Sequence, residues 1–292
     1  MRHAGATTKA GENMNHEFFP LYFYNRMKRR LQILQSLVLG VAFMSCAPDK
    51  EKKQTAEVDS LRLNYAIRSM WPHDPEAFTQ GLLIYKGELY ESTGQFGTSW
   101  IGIVDINTGK ADKKVVLDKQ YFGEGIAILN NKIFQLTWQN KIGFVYDLKT
   151  FKVLRTFRFD SFAKEGWGLT HDNVNLIMSD GTNNLHYLDT VTLEVVKSLK
   201  ITDENGPVKN LNELEYIEGY VFANVWQTNL ILKIDPNTSK VVGRIDLSKL
   251  ANDARKASPQ VDVLNGIAWH PETRSFLVTG KNWPNTYILK ID

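Results

Sequence analysis

The stretch GIAILNNKIFQLTW, residues 125–138, decides how this chain folds. It reads as two short runs of alternating apolar residues separated by Asn130-Asn131, the pattern of a β-hairpin. Four more stretches repeat it: GLLIYKGELYESTG from Gly81, GLTHDNVNLIMSDG from Gly168, ELEYIEGYVFANVW from Glu213 and GIAWHPETRSFLVTG from Gly266. Their turns fall at Lys86-Gly87, Asp172-Asn173, Glu218-Gly219 and Pro271 to Arg274. Successive starts lie 44, 43, 45 and 53 residues apart. The last interval is stretched by SKLANDARKASPQ, which reads as a short helix or loop excursion.

Each hairpin is followed by a third apolar run, in WIGIVDINTGK, IGFVYDLKTFK, LHYLDTVTLE, LILKIDPNTSK and TYILKID. The first four then turn into a fourth: KKVVLD, KVLRTFRF, EVVKSL and KVVGRIDL. Asp105, Asp147, Asp189 and Asp235 recur where third strands end, as turn-capping residues. The fifth repeat stops at Asp292 without a fourth strand, and residues 60–70, SLRLNYAIRSM, are the candidate to supply it. Four strands repeated every 40–45 residues or so is the propeller signature. The fold expected is all-β: a five-bladed β-propeller over residues 58–292, closed by an N-terminal strand that hides the open edge.

Glu124 stands between two glycines just ahead of the deciding stretch, where glycine opens backbone conformations closed to other residues. Its equivalents in the other repeats are Gln80, Trp167, Asn212 and Asn265. The first strand of a propeller blade is innermost, so these five residues are expected to ring one mouth of the central channel. That ring holds one carboxylate, three carboxamides and an indole, groups suited to a small polar ligand with a single proton-transferring member. Hairpin exits add Trp138, Trp226 and Lys281. Plain structural readings stand beside these: Asn265 as a turn residue, the tryptophans as blade packing.

The N-terminal part differs in character. Residues 1–53 hold nine Lys/Arg against four Asp/Glu, leaving 26 against 28 for the remainder. The body therefore has no basic surplus, and nucleic acid is not an expected partner. MKRRLQILQSLVLGVAFMSC, residues 27–46, joins a basic start to a 15-residue, mostly apolar stretch and ends on the only cysteine. That length suits a signal peptide better than a membrane span. Cys46 resembles the lipidated cysteine of a bacterial lipobox, although Phe43 and Met44 are not its usual residues; a signal peptide that merely contains a cysteine is the alternative. Residues 1–26 then read as an untranslated or disordered extension, and 47–57 as a polar tether. An exported protein held to a membrane by lipid is the expectation.

Several chemistries are disfavoured. The body has no thiol. His73, His171 and His270 lack metal-ligand spacing, with His171 and His270 expected in hairpin turns. GTSWIG lacks the glycine two places after serine that a nucleophile elbow needs. Neither metal nor cofactor is called for.

At these residues the chain resembles the glutamine cyclotransferase family of plants and bacteria. The resemblance rests on HDPEAFTQGL (73–82), YESTGQFG (90–97), FGEGI (122–126), QLTW (135–138), EGWGLT (165–170), MSDGT (178–182), LNELEY (211–216), ANVW (223–226), LNGIAW (264–269) and TGKNWP (279–284). It implies a five-bladed propeller that converts N-terminal glutamine of peptides to pyroglutamate with loss of ammonia. It implies Glu124 as the acid/base with Lys281 beside it, and the chemistry of that reaction gives Lys281 the role of stabilising the tetrahedral oxyanion. Phe78, Gln80, Trp138, Trp167, Asn212, Trp226 and Asn265 are the substrate-binding set expected around them. Gly102 departs from the arginine that the family often carries there. A monomer is expected. The rival reading is a tethered, non-catalytic propeller that binds a peptide or protein; a quinone- or sugar-processing propeller is weaker, because the body lacks the metal ligands expected of one.

Overall fold

The computed structural model describes residues 59–292. The N-terminal extension, the signal segment, Cys46 and the whole tether lie outside the described residues. Four sheets of four strands and one of six make five blades. Blade 1 is Thr79–Tyr85, Glu88–Thr93, Trp100–Val104 and Ala111–Val116. Blade 2 is Gly123–Leu129, Lys132–Thr137, Ile142–Asp147 and Val153–Arg158. Blade 3 is Leu169–His171, Asn175–Ser179, Asn184–Asp189 and Val195–Lys200. Blade 4 begins with Leu211–Ile217, Tyr220–Val225, Leu230–Asp235 and Lys240–Asp246. Blade 5 is Leu264–His270, Ser275–Gly280 and Asn285–Ile291, with Tyr65–Pro72 as its outer strand.

The period-2 pattern explains the core. Both faces of the inner strands are covered, and successive residues serve opposite neighbours. In blade 1, Leu82 packs toward blade 5 while Leu83 packs toward blade 2. In blade 2, Ile126 and Ile128 face blade 1, and Ala127 faces blade 3. The result is five apolar clusters, one at each junction between adjacent blades. Exposure rises outward: Gly123–Leu129 is almost wholly buried, and Val153–Arg158 almost wholly exposed. The turns agree with their residues, since Lys86-Gly87, Asn130-Asn131 and Glu218-Gly219 take positive φ at both central positions, as two-residue hairpins require.

Ring closure differs in detail from the sequence reading. The closing strand is Tyr65–Pro72, paired antiparallel with Asn285–Ile291, not residues 60–70. Its predecessors Leu61 and Leu63 instead bond to both sides of Arg244, at 2.7 Å each, on the outer strand of blade 4. A small hairpin, Thr202–Asp203 with Gly206–Pro207, pairs with that edge at Lys240. Nothing in the alternation signalled that hairpin. The excursion after blade 4 is a helix, Ser248–Ala257, which packs Leu250, Ala251 and Ala254 into the junction of blades 4 and 5. His171 and His270 close inner strands, not turns. The four recurring aspartates do cap their turns: each accepts a backbone N–H two or three residues on, at 2.7–2.9 Å. At Gly102, a Cβ would lie 2.5 Å from the Lys113 carbonyl oxygen, so the neighbouring strand leaves no room for a side chain on this backbone.

Candidate active site

The ring position is a β-bulge in four of the five blades. Strand register shifts at Thr79/Gly81, Gly123/Ile126, Leu211/Leu214 and Leu264/Ile267, around Gln80, Glu124, Asn212 and Asn265. A bulge leaves a residue unpaired and re-aims its side chain. In blade 3 the strand starts later, and Trp167 precedes it. The glycines flanking Glu124 serve close approach; neither takes the positive φ that motivated them in the sequence. A Cβ on Gly123 would lie 2.6 Å from the Thr93 carbonyl oxygen, and one on Gly125 would lie 2.4 Å from the Leu169 nitrogen.

Polar side chains from second and third strands fix the backbone beneath the ring. Tyr146 donates to Gln135 (2.7 Å), Gln135 to Ser92 (2.8 Å), and Ser92 to the Glu124 carbonyl (2.6 Å). Ser179 likewise donates to the Asn212 carbonyl at 2.7 Å. Lower in the same inner strand, buried Glu213 accepts N–H bonds from Leu82 in blade 1 and Ile267 in blade 5. It ties three blades together and does not line the cavity.

Above this floor is a cavity of about 460 Å³, lined by Phe78, Gln80, Phe122, Glu124, Trp138, Glu165, Trp167, Asn212, Trp226, Gln227, Asp262 and Lys281. A volume in that range suits a small ligand. Of the nine residues expected, eight line it. Asn265 does not: it is fully buried behind Gln80, donating to Gln80 Oε1 and the Thr79 carbonyl, each at 3.0 Å. Its amide is taken up by Gln80 and the Thr79 backbone, so it holds Gln80 from behind the cavity wall. Gln80 in turn donates to Glu124 Oε1 at 3.0 Å.

Glu124 is 3% exposed. Burial pushes its carboxyl well above the usual carboxylate range; Glu165 adds to that, while Lys281 and the Gln80 hydrogen bond oppose it. Lys281 is pushed down from its ordinary value by burial, against the pull of Glu124 and Asp262. Its Nζ sits 4.7 Å from the centre of the Phe78 ring. Asn212 Oδ1 is buried without a hydrogen-bond partner among the described residues. The cavity thus combines a buried carboxyl, a buried lysine, a carboxamide oxygen and aromatic walls.

The sequence reading missed Phe122, Glu165, Gln227 and Asp262 as lining residues. Glu165 lay inside the EGWGLT block, and Phe122 inside FGEGI, but neither occupies the ring slot. Phe122 touches Phe78 and Trp138, with ring centres 6.0 and 5.6 Å apart.

Comparisons with known proteins converge on one family. The glutamine cyclotransferase family profile matches residues 37–291. A glutaminyl-peptide cyclotransferase of Arabidopsis thaliana is 39% identical over 277 residues, covering 92% of this chain and 85% of the relative. The crystal structure of Myxococcus xanthus glutaminyl cyclase superposes with a TM-score of 0.74 at 32% identity, covering 80% of this chain and 99% of that one. With a five-bladed propeller, an acid-bearing ring and this extent of similarity, the chain belongs to the glutamine cyclotransferase family.

Proposed function

We propose that the cavity around Glu124 cyclises N-terminal glutamine of peptides to pyroglutamate, releasing ammonia. The observation that carries this reading is a buried carboxyl, its pKa raised by that burial, held by Gln80 in one cavity with the unpartnered Asn212 Oδ1 and a buried lysine. Amine and amide belong to one residue of the substrate, so tethering already supplies much of the proximity advantage. The site must hold the folded conformer and move one proton. The neutral α-amine attacks the side-chain amide carbon; a proton leaves the attacking nitrogen and one reaches the departing nitrogen. Glu124 does both in turn, giving its proton to the leaving ammonia and taking one from the new lactam nitrogen. Lys281 donates to the oxyanion of the tetrahedral intermediate.

Asn212 selects the amide. Its unpartnered Oδ1 accepts from the substrate's –NH₂, whereas N-terminal glutamate would place an oxygen there without a proton to share. Trp138, Trp167, Trp226, Phe78 and Phe122 enclose the aliphatic part and keep water out. A non-catalytic binding propeller is not favoured, since both named relatives are cyclases. We further infer export and lipid attachment at Cys46, with the propeller acting as a monomer on a membrane surface. The basic and apolar run of residues 27–45 ending at that cysteine supports this.

Incubating the protein with a Gln-Xaa dipeptide tests the activity. Stoichiometric ammonia and pyroglutamyl-Xaa are expected; bound but unchanged peptide would favour the binding module. Mass spectrometry of the mature protein tests the anchor, and an unmodified N-terminus away from Cys46 would rule it out.

A further inference from the structure

Glu165 lies on the connection between blades 2 and 3 and accepts hydrogen bonds from two indoles at one oxygen. Trp138 Nε1 donates to Oε2 at 2.8 Å and Trp167 Nε1 to the same Oε2 at 2.9 Å. Gln139 reaches the other oxygen at 3.3 Å. The two tryptophans come from different blades and face the cavity from adjacent sides. From there the walls run on by contact: Trp167 meets Trp226 edge-on at 5.5 Å, and Trp138 meets Phe122 at 5.6 Å. The Trp167 ring also rests on Gly181, where a Cβ would come within 2.7 Å of it. One carboxyl oxygen therefore joins two walls of an aromatic lining to which three blades contribute.

We propose that Glu165 is a positioning residue for glutamine cyclisation, whose Oε2 locks the Trp138 and Trp167 walls in the spacing that grips the substrate. This rests on the cyclase reading given above. Packing alone leaves an indole free to slide along its neighbour, whereas a shared charged acceptor fixes both rings in rotation. The group has a second consequence, for charge. Glu124 is faced by Gln80 from blade 1, Lys281 from blade 5 and Glu165 from the blade 2–3 connection, with Asp262 beside Lys281. Among these only Glu165 adds negative charge acting directly on Glu124. It therefore favours the protonated acid that the leaving ammonia needs.

Two substitutions separate wall-holding from charge. Glu165→Ala removes the shared acceptor, and KM for a Gln-Xaa dipeptide should rise roughly tenfold, the order expected for lost hydrogen bonds to a charged group. Its indole fluorescence should change while the melting transition stays cooperative. Glu165→Gln keeps an acceptor oxygen, so KM should return toward wild type. The limb of its kcat/KM–pH profile that belongs to Glu124 should nonetheless move to lower pH, because a negative neighbour has gone. Wild-type KM and fluorescence in Glu165→Ala, beside an active wild type, would overturn the inference alone. An unmoved pH limb in Glu165→Gln would overturn its electrostatic half. A wild type that releases no ammonia would overturn the cyclase reading and this inference with it.

Discussion

Replacing His73 tests how the ring is locked. Its imidazole is buried where the closing strand ends, between blades 5 and 1. Nδ1 donates to the Trp283 carbonyl of blade 5 at 2.6 Å, and Nε2 donates to Glu91 Oε1 of blade 1 at 3.1 Å. Both side chains are at most 1% exposed. Thr79, the residue before Gln80, donates to the same Glu91 oxygen at 2.7 Å. Burial pushes the imidazole pKa down, but Glu91, the Trp283 carbonyl and Asp74 together leave it raised. Breaking a buried ion pair by removing one partner costs about 3–5 kcal/mol. In a domain of this size each kcal/mol moves the melting midpoint by roughly 2–4 °C. His73→Ala should therefore melt about 6–20 °C lower in a calorimetric or circular-dichroism scan at pH 6. The pH dependence has a definite sign. A folded-state pKa above the unfolded value of about 6.5 stabilises fully below that pH, and the gain is lost as pH rises through the folded value. The Tm advantage of wild type over the uncharged pair His73→Gln/Glu91→Gln should thus shrink as pH rises. A His73→Ala protein that melts within a degree or so of wild type would refute the lock. So would an advantage that grows with pH.

Two other expectations follow from the walls and the closure. Trp226→Ala or Trp138→Ala should raise KM and lower kcat together, because in the proposed reaction these cavity-lining indoles both hold substrate and keep water from Glu124; steady-state kinetics on a Gln dipeptide will show it. Deleting residues 59–72 leaves the Asn285–Ile291 edge unpaired, so the truncated chain should aggregate or unfold, as size-exclusion chromatography and melting scans will report.

The blades were legible because every inner strand alternates under cover on both faces, so Leu82 and Leu83 each find a different neighbouring blade. The ring position was legible for a related reason: repeats in register place equivalent residues at equivalent heights. What escaped depends on approach between distant segments. Glu165 shares no slot with Glu124, and its partner Trp138 is 27 residues away. Asn265 occupies the right slot, yet Gln80 lies in front of it. His73 and Glu91 meet only once the ring has closed, and strands as short as Thr202–Asp203 carry no period to read. The closing strand began late because Leu61 and Leu63 are taken up by Arg244 of blade 4.

The most direct test of the account compares wild type with Glu124→Gln in ammonia release from a Gln-Xaa dipeptide. The substitution preserves size and the contact with Gln80 while removing proton transfer. Wild type should turn over the peptide, and Glu124→Gln should be slower by about two to four orders of magnitude, the range of general acid/base catalysis, with its melting transition intact. Cyclisation by Glu124→Gln at near wild-type rate would contradict the account.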